Sequence, residues 1–262
     1  MKLHAHTTGH GPDLVLIHGW ALHSGVWNSL IAPLAQHFRV TCVDLPGHGY
    51  SRETPMPASL AQVARLVREA APARAVWLGW SLGGLVCLRA ALDFPAQLRA
   101  LILVSSTPRF VTAADWPHAM PPTQLQQFAR ELRRDYRPTL QRFLALQVRG
   151  DAAARETLRT LRAAVSAGGE PQPASLAAGL EILRNGDVRA ELECIRLPTL
   201  VITGEYDRLA PPQAGKALAA AIRGAAWLDF AHAAHAPFLS QPLEFIAAVN
   251  QFMGKLAGMT AT

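Results

Sequence analysis

Cysteines are scarce in this chain of 262 residues: there are three, and they lie far apart (Cys42, Cys87 and Cys194). They form no CxxC pair and no zinc-binding spacing, which argues against a disulfide framework and a structural metal site. No apolar run approaches the ~20 residues of a membrane-spanning helix, and no segment resembles a secretion signal. We therefore expect a soluble, cytoplasmic protein without a structural metal, and we also expect it to be a monomer.

The composition is typical of a protein with one large core. Half of the residues are hydrophobic and 17% are charged, which excludes a disordered or low-complexity chain. The formal net charge of +6 is concentrated between residues 130 and 162, which hold nine arginines and four acidic residues. This segment is either a solvated helix face or a docking surface for an acidic partner. No nucleic-acid-binding motif accompanies the arginines, so we do not expect a nucleic-acid partner.

Short apolar segments alternate with helical patterns in both halves of the chain. This alternation predicts an α/β fold, with a mostly parallel sheet that is covered by helices on both faces. Strands are predicted at Leu14–His18, Val40–Asp44, Ala75–Trp80, Ala100–Val104, Thr199–Thr203 and Ala226–Phe230. Helices are predicted near Val26–Phe38, Ser59–Ala71, Leu82–Phe94, Pro212–Ile222 and Pro242–Leu256.

The middle of the chain differs, because residues 108–185 contain no convincing strand. They predict four helices, with breaks near Pro121–Pro122, Pro138, Gly150 and Gly168–Gly169. We interpret this segment as a helical cap inserted into an α/β core. The core would then consist of residues 1–107 and 186–262.

The strongest chemical signal is the sequence Gly79-Trp80-Ser81-Leu82-Gly83. A GxSxG motif alone is only suggestive, but this one follows an apolar strand and opens a helix, as a nucleophile elbow does. Glycines are needed on either side because the turn leaves no room for a Cβ. We predict Ser81 as a catalytic nucleophile.

A serine nucleophile needs a histidine base and a carboxylate, which follow it along the chain in this type of fold. Asp207 is the favoured acid, and Glu205, which leaves the same predicted strand two residues earlier, is the alternative. His235 is the favoured base over His232, because it directly precedes the final helical region.

A second loop is expected to complete the site. His18-Gly19-Trp20 ends the first apolar strand, so the Trp20 backbone N–H should stabilise the oxyanion together with the N–H of Leu82. The glycine-rich turn after Asp44 lacks a full phosphate-binding motif, and we do not expect a nucleotide there.

These motifs resemble the α/β-hydrolase superfamily over nearly the whole chain. Within it, the closest likeness is to the methyl ester esterases of biotin synthesis. Beyond the elbow, the residues that carry this likeness are Ile17–Trp20, Arg142–Gln147 (RFLALQ), Gly179–Leu183 (GLEIL) and Ala233–Phe238.

The resemblance implies a Ser81, Asp207 and His235 triad and a substrate carried as a thioester on acyl carrier protein. The enzyme would remove the methyl group from a dicarboxylate methyl ester as methanol, and this reaction would need no metal or cofactor. By resemblance, the substrate would contact Trp20, Ser81, Leu82, Phe143, Leu144, Ala145, Leu146, Gln147 and His235. The carrier would contact Arg142, Arg155 and Arg159.

The sequence departs from the family pattern at two positions. Pro138 occupies the place of a family arginine, for which Arg137 is a possible substitute, and Ala21 replaces the glycine that usually follows HGW. Two other interpretations stay open. One is a carboxylesterase or C–C hydrolase acting on free small molecules, and the other is a non-catalytic ligand-binding homologue.

Overall fold

A seven-stranded sheet forms the centre of the molecule in the computed structural model, which describes residues 2–169 and 171–259. The strand order is β1-β3-β2-β4-β5-β6-β7, and every neighbouring pair is parallel except β1 with β3. The strands are β1 (Ala5–Thr8), β2 (Asp13–Ile17), β3 (Arg39–Val43), β4 (Ala75–Trp80), β5 (Leu98–Val104), β6 (Thr199–Gly204) and β7 (Ala226–Phe230).

Helices connect the parallel strands and cover the sheet. The helices of the first half are α1 (Asn28–Ala35), α2 (Leu60–Ala70) and α3 (Leu82–Asp93). Those between β5 and β6 are α4 (Pro122–Arg134), α5 (Tyr136–Gln147), α6 (Ala154–Ala167) and α7 (Pro173–Asn185). Those of the last part are α8 (Pro212–Ala221), α9 (Pro237–Ser240) and α10 (Pro242–Met259).

Burial explains which sequence patterns form which elements. Every residue of β4 and β6 is buried, because these central strands have helices on both faces, and their sequences are accordingly continuous apolar runs. In contrast, α2 buries Val63, Ala64 and Val67 on one side and exposes Arg65 and Glu69 on the other. This spacing is that of an amphipathic helix, and α2 packs against the neighbouring helix α3.

The six predicted strands are confirmed to within two residues at each end, but β1 was not predicted. This strand is four residues long, lies at the edge of the sheet and is largely exposed. Its sequence, Ala-His-Thr-Thr, therefore lacks the buried apolar residues on which strand prediction depends.

Residues 108–185 contain four α-helices, as their sequence predicted, but one break lies elsewhere. The boundary between α4 and α5 is at Asp135, which has an extended backbone, and Pro138 lies within the first turn of α5. Proline fits there because the first N–H groups of a helix have no acceptor within it. The division into core and helical cap (residues 108–185) stays a prediction.

The topology brings three chain segments together at one edge of the sheet. Ser81 directly follows β4, Asp207 lies in the turn after β6, and His235 lies in the loop after β7. Parallel strands have their carboxyl ends at the same edge, which is where open α/β sheets bind ligands.

Candidate active site

Ser81 occupies a sharply bent backbone position between β4 and α3. Its φ of 55° and ψ of −118° are rare for a residue with a side chain. The turn is tight because helix α3 starts close to other backbone: a Cβ on Gly79 would lie 2.4 Å from the Gly83 carbonyl oxygen, and one on Gly83 would lie 2.3 Å from that of Ile17. The two glycines of the motif are therefore sterically required, as predicted.

Two hydrogen bonds fix the backbone of the serine. The Ser81 N–H donates to the Val104 carbonyl oxygen at 2.9 Å. The Ser106 hydroxyl donates to the Ser81 carbonyl oxygen at 2.8 Å. The sequence analysis did not identify Ser106, because its only signal was its place just after the neighbouring strand β5.

His235 and Asp207 form a buried pair. The distance between His235 Nδ1 and Asp207 Oδ2 is 2.8 Å, and both side chains are almost completely shielded from solvent. The other carboxylate oxygen, Oδ1, accepts the N–H groups of Leu209 at 2.8 Å and Ala210 at 3.0 Å. A carboxylate at Nδ1 holds the imidazole proton on that nitrogen and leaves Nε2 as an acceptor, as a general base requires.

The two alternative residues are also paired, but outside the buried site. His232 Nδ1 lies 3.7 Å from Glu205 Oε2, and the side chains are 70% and 40% exposed. Glu205 also accepts the backbone N–H of His232 at 2.8 Å. Of the two carboxylate–histidine pairs, only the one between Asp207 and His235 lies in the protected position that a catalytic pair occupies.

Trp80 joins the serine strand to the histidine loop (residues 231–236). Its indole N–H donates to the His235 carbonyl oxygen at 2.7 Å, and the two rings are 5.6 Å apart. Phe238 of α9 packs against both Trp80 and Trp27. Since Trp80 precedes Ser81 in the chain, these contacts bring the loop of His235 to the end of β4. No role was predicted for Trp80 from the sequence.

The predicted oxyanion loop (residues 18–20) lies beside Ser81. A Cβ on Gly19 would lie 3.2 Å from the Ser81 Cβ, so a larger residue would crowd the nucleophile. Leu82 is the first residue of α3, and its N–H therefore has no acceptor within the helix. The neighbouring Trp20 is buried, and its indole N–H donates to the Leu176 carbonyl oxygen of α7 at 2.9 Å.

Two buried histidines support the backbone of the oxyanion loop. Nδ1 of His18 donates to the Gly19 carbonyl oxygen at 2.8 Å, and its Nε2 accepts the Leu45 N–H at 2.9 Å. His48 Nδ1 donates to the Pro46 carbonyl oxygen at 2.8 Å, and its Nε2 accepts the Ala21 N–H at 3.3 Å.

Each of these rings uses one nitrogen as a donor and the other as an acceptor, which requires the neutral form. Burial, reinforced by the other histidine, lowers the pKa of His18 to about 3. Burial likewise lowers the pKa of His48 to about 4.

These lowered pKa values predict acid lability. Below pH 6.5, the ordinary pKa of histidine, the unfolded chain takes up protons at His18 and His48, whereas the folded chain takes them up only near pH 3 at His18 and near pH 4 at His48. The free energy of unfolding should therefore fall with decreasing pH by about 1 kcal/mol per unit for each histidine. Urea unfolding between pH 5 and 8 measures this slope. His48→Gln should be less stable at pH 8 but should lose less stability on acidification, and equal slopes for the two proteins would contradict the assignment.

A mainly apolar cavity of about 310 Å³ lies between α4 and α5. Its lining includes Phe128, Phe143 and Leu146, and Leu209, two residues beyond Asp207. The rings of Phe128 and Phe143 also contact the Trp20 ring, at 5.5 and 4.9 Å between centroids. The cavity therefore adjoins both the turn that holds Asp207 and the predicted oxyanion loop that holds Trp20.

Not all of the predicted substrate-binding residues face this cavity. Phe143 and Leu146 line it, as their spacing on one helix face allows, whereas Leu144 is buried in the core and Ala145 is exposed to solvent. Gln147 is buried and has no hydrogen-bond partner for its side-chain amide. A larger cavity of about 570 Å³, lined by His4, His23 and Tyr50 among others, includes none of the predicted site residues.

The predicted carrier-contact arginines are all exposed, Arg142 on α5 and Arg155 and Arg159 on α6. Arg142 Nη2 lies 2.8 Å from Glu131 Oε2, and Arg159 Nη2 lies 3.5 Å from Glu156 Oε1. The pKa of Glu131 is lowered by a hydrogen bond from Gln127 and by the Arg142 guanidinium. Arg137, the possible substitute for the missing arginine, lies over the Tyr136 ring.

The backbone of Ser81 predicts a stability difference between two inactive variants. Both Ser81→Gly and Ser81→Ala remove the hydroxyl, but only glycine adopts a φ of 55° without strain. We expect Ser81→Gly to be the more stable variant by about 1–3 kcal/mol. Urea unfolding of the two variants measures the difference, and equal stabilities would show that the elbow is not strained.

The sequence matches the family model of the alpha/beta hydrolase fold over residues 12–242. The chain therefore belongs to the α/β hydrolase family. A hydrolase from Pseudomonas aeruginosa PA01 has a similar solved structure, with a TM-score of 0.82, 28% sequence identity and coverage of 96% of this chain and 94% of the other.

Curated relatives within this family are similar over almost their entire length. One from Stenotrophomonas maltophilia (strain K279a) is 48% identical over 255 residues, which are 97% of this chain and 98% of the relative. Another, from Nitrosomonas europaea, is 45% identical over 246 residues, or 94% of this chain and 97% of the relative. Both are named pimeloyl-[acyl-carrier protein] methyl ester esterase.

Neither a metal-binding cluster nor a membrane-spanning helix is found among the described residues. In the ranges 2–169 and 171–259, no group of three or more His, Cys, Asp or Glu side chains is arranged to hold a metal ion. Over the same ranges, no helix combines the length and the apolar character needed to cross a bilayer.

Proposed function

We propose that this protein is a serine carboxylesterase that hydrolyses the methyl ester of pimeloyl-[acyl-carrier protein], which is the BioH reaction of biotin synthesis. The observation that carries the proposal is the 45–48% identity, over nearly the full length, to relatives with that name. The buried His235–Asp207 pair and the strained Ser81 backbone, at the same edge of the sheet, support it independently.

In the proposed mechanism, Nε2 of His235 takes the proton of the Ser81 hydroxyl while the serine oxygen attacks the ester carbonyl. Asp207 holds the imidazole in the required tautomer and stabilises its positive charge. The backbone N–H groups of Trp20 and Leu82 donate to the oxyanion. Methanol leaves with the proton from His235. Water then attacks the acyl-enzyme while His235 accepts its proton, and His235 returns that proton to the Ser81 oxygen as the acid is released and ionises to the free carboxylate.

The surroundings of the site fit a long acyl chain on an acidic carrier. The cavity between α4 and α5 offers apolar side chains to the methylene groups of the acyl chain. The arginines of the helical cap offer positive charge to a strongly acidic protein such as acyl carrier protein. In this arrangement Arg142, Arg155 and Arg159 bind the carrier while the ester end of the acyl chain reaches Ser81.

The test is a mass-spectrometric assay of demethylation, with pimeloyl-carrier methyl ester and with the free methyl ester of the same acid. Wild type should prefer the carrier-bound ester, and only that reaction should slow steeply as salt is raised. Ser81→Ala should lose at least about 10³-fold in activity on both substrates. Equal turnover of the two esters without salt dependence would indicate a carboxylesterase for free small molecules. Activity of Ser81→Ala near that of wild type would end the hydrolytic proposal.

The ion pair of Arg142 predicts a gain of function towards the carrier. The Glu131 carboxylate forms an ion pair, at 2.8 Å, with the Arg142 guanidinium that the carrier would bind. Glu131→Gln should free Arg142 and lower the KM for the carrier-bound ester by about two- to fivefold, since exposed ion pairs contribute up to about 1 kcal/mol. Because Glu131 also lines the cavity between α4 and α5, the control substrate is a short p-nitrophenyl ester, which needs neither the carrier nor this cavity, and its turnover should not change.

A suitable control is Glu181→Gln. Glu181 lies on α7 and pairs with Arg184. Its substitution removes the same charge as Glu131→Gln without affecting a predicted carrier contact. A lower KM in both variants would indicate a general charge effect. An unchanged KM for Glu131→Gln would show that Arg142 does not exchange partners.

A further inference from the structure

The connection between α5 and α6 is hydrogen-bonded to the histidine loop. Three bonds of 3.0 Å join them: His235 N–H to the Gln147 carbonyl oxygen, Ala234 N–H to Asp151 Oδ2, and Ala152 N–H to the His232 carbonyl oxygen. A short segment of the helical cap thus holds three residues of the loop that carries the proposed base.

Among these three hydrogen bonds, only the one from Ala234 involves a side chain, the carboxylate of Asp151. Asp151 is 6% exposed, and both of its carboxylate oxygens accept backbone N–H groups. Oδ1 accepts Ala153 at 2.7 Å in its own segment, and Oδ2 accepts Ala234 in the histidine loop. Hydrogen bonds to an ionised acceptor are about twice as strong as neutral ones, and two of them fix the orientation of the carboxylate. Asp151 therefore ties the cap segment to the residue next to His235.

The backbone of His235 is held on two sides. Its N–H donates to the helical cap at Gln147, and its carbonyl oxygen accepts the Trp80 indole N–H from the serine strand. The imidazole is fixed at a third point by Asp207. If the contact at Ala234 is lost, the backbone can shift, and the imidazole then moves relative to Ser81. Displacements of about 1 Å in a catalytic group can cost 10²-fold in rate.

We propose that Asp151 is a positioning residue for His235. It acts through the backbone of Ala234 and touches neither the reacting ester nor the imidazole. The proposal rests on the function proposed above, in that His235 is the base. It extends that function by making the helical cap a part of the catalytic apparatus as well as a surface for the carrier.

The experiment compares Asp151→Ala with wild type on a short p-nitrophenyl ester, which needs neither the carrier nor the acyl cavity. We expect kcat to fall about tenfold, or about 1.4 kcal/mol in barrier, with KM unchanged within about twofold. Asp151→Asn keeps one acceptor oxygen and should recover most of this loss. Asp135→Ala is the matched control, because it removes the same charge from the same part of the chain. Asp135 is exposed at the start of α5, and its side chain makes no capping hydrogen bond to that helix. The kcat of Asp135→Ala should equal that of wild type.

Two further measurements separate positioning from loss of folding. Urea unfolding gives the folded fraction of each variant under assay conditions. Proton NMR detects the hydrogen shared by His235 Nδ1 and Asp207 Oδ2, whose signal should shift or broaden in Asp151→Ala and stay unchanged in Asp135→Ala. A kcat loss fully explained by unfolded protein, or a change confined to KM, would overturn the proposal.

The outcome also distinguishes this inference from the proposed function. If Asp151→Ala matches wild type on the short ester while wild type demethylates the carrier-bound ester, the positioning role fails and the function stands. If wild type hydrolyses the short ester but not the carrier-bound one, the substrate assignment fails. A tenfold loss of kcat in folded Asp151→Ala would support the positioning role in that case too.

Discussion

The close approach of the start of α3 to the ends of β2 and β4 is the constraint on which the site depends. It requires glycine at positions 79 and 83, since a Cβ at either place would meet backbone oxygen at less than 2.5 Å. The same approach forces Ser81 into a conformation that side chains rarely adopt, and it brings the Gly19 backbone beside the serine. Strain of this kind persists only where the surrounding structure over-determines it. Here the hydrogen bonds from Ser81 to Val104 and from Ser106 to Ser81 provide that support.

Much of the fold could be predicted because local patterns and burial agree. The central strands are continuous apolar runs, and their sequences determine their positions within two residues. The prediction failed where neither burial nor local preference marks the element. The exposed edge strand β1 is held by pairing with β3, and such pairing leaves no trace in four largely polar residues. The helix break predicted near Pro138 was misplaced because a proline has two meanings in a helical pattern. Proline breaks a helix in its interior but is tolerated in the first turn, and only the structure shows that Pro138 lies in the first turn of α5.

The site residues also differ in how well the sequence predicts them, according to whether their signals are local or depend on the fold. The elbow serine could be found because its glycines, strand and helix are adjacent in sequence. Asp207 and His235 could be favoured over Glu205 and His232 from their positions, but each pair of candidates lies within a few residues, so the sequence alone could not exclude the alternatives. Tertiary burial distinguishes the two pairs, because it shields one and leaves the other in solvent. Trp80 and Asp151 could not be identified, since they contact the histidine loop from 155 and 83 residues away.

The hydrogen bonds between the cap segment and the histidine loop also bear on how such enzymes diversify. A cap attached to the core only by its two ends could be exchanged between homologues as a module. Here three bonds join residues 147–152 to the loop after β7, so a transplanted cap would have to carry a matching segment. Variation that adapts the enzyme to a new acyl group is therefore expected to accumulate in α4, in α7 and on the outer face of α6, while the junction between α5 and α6 changes together with the loop it supports.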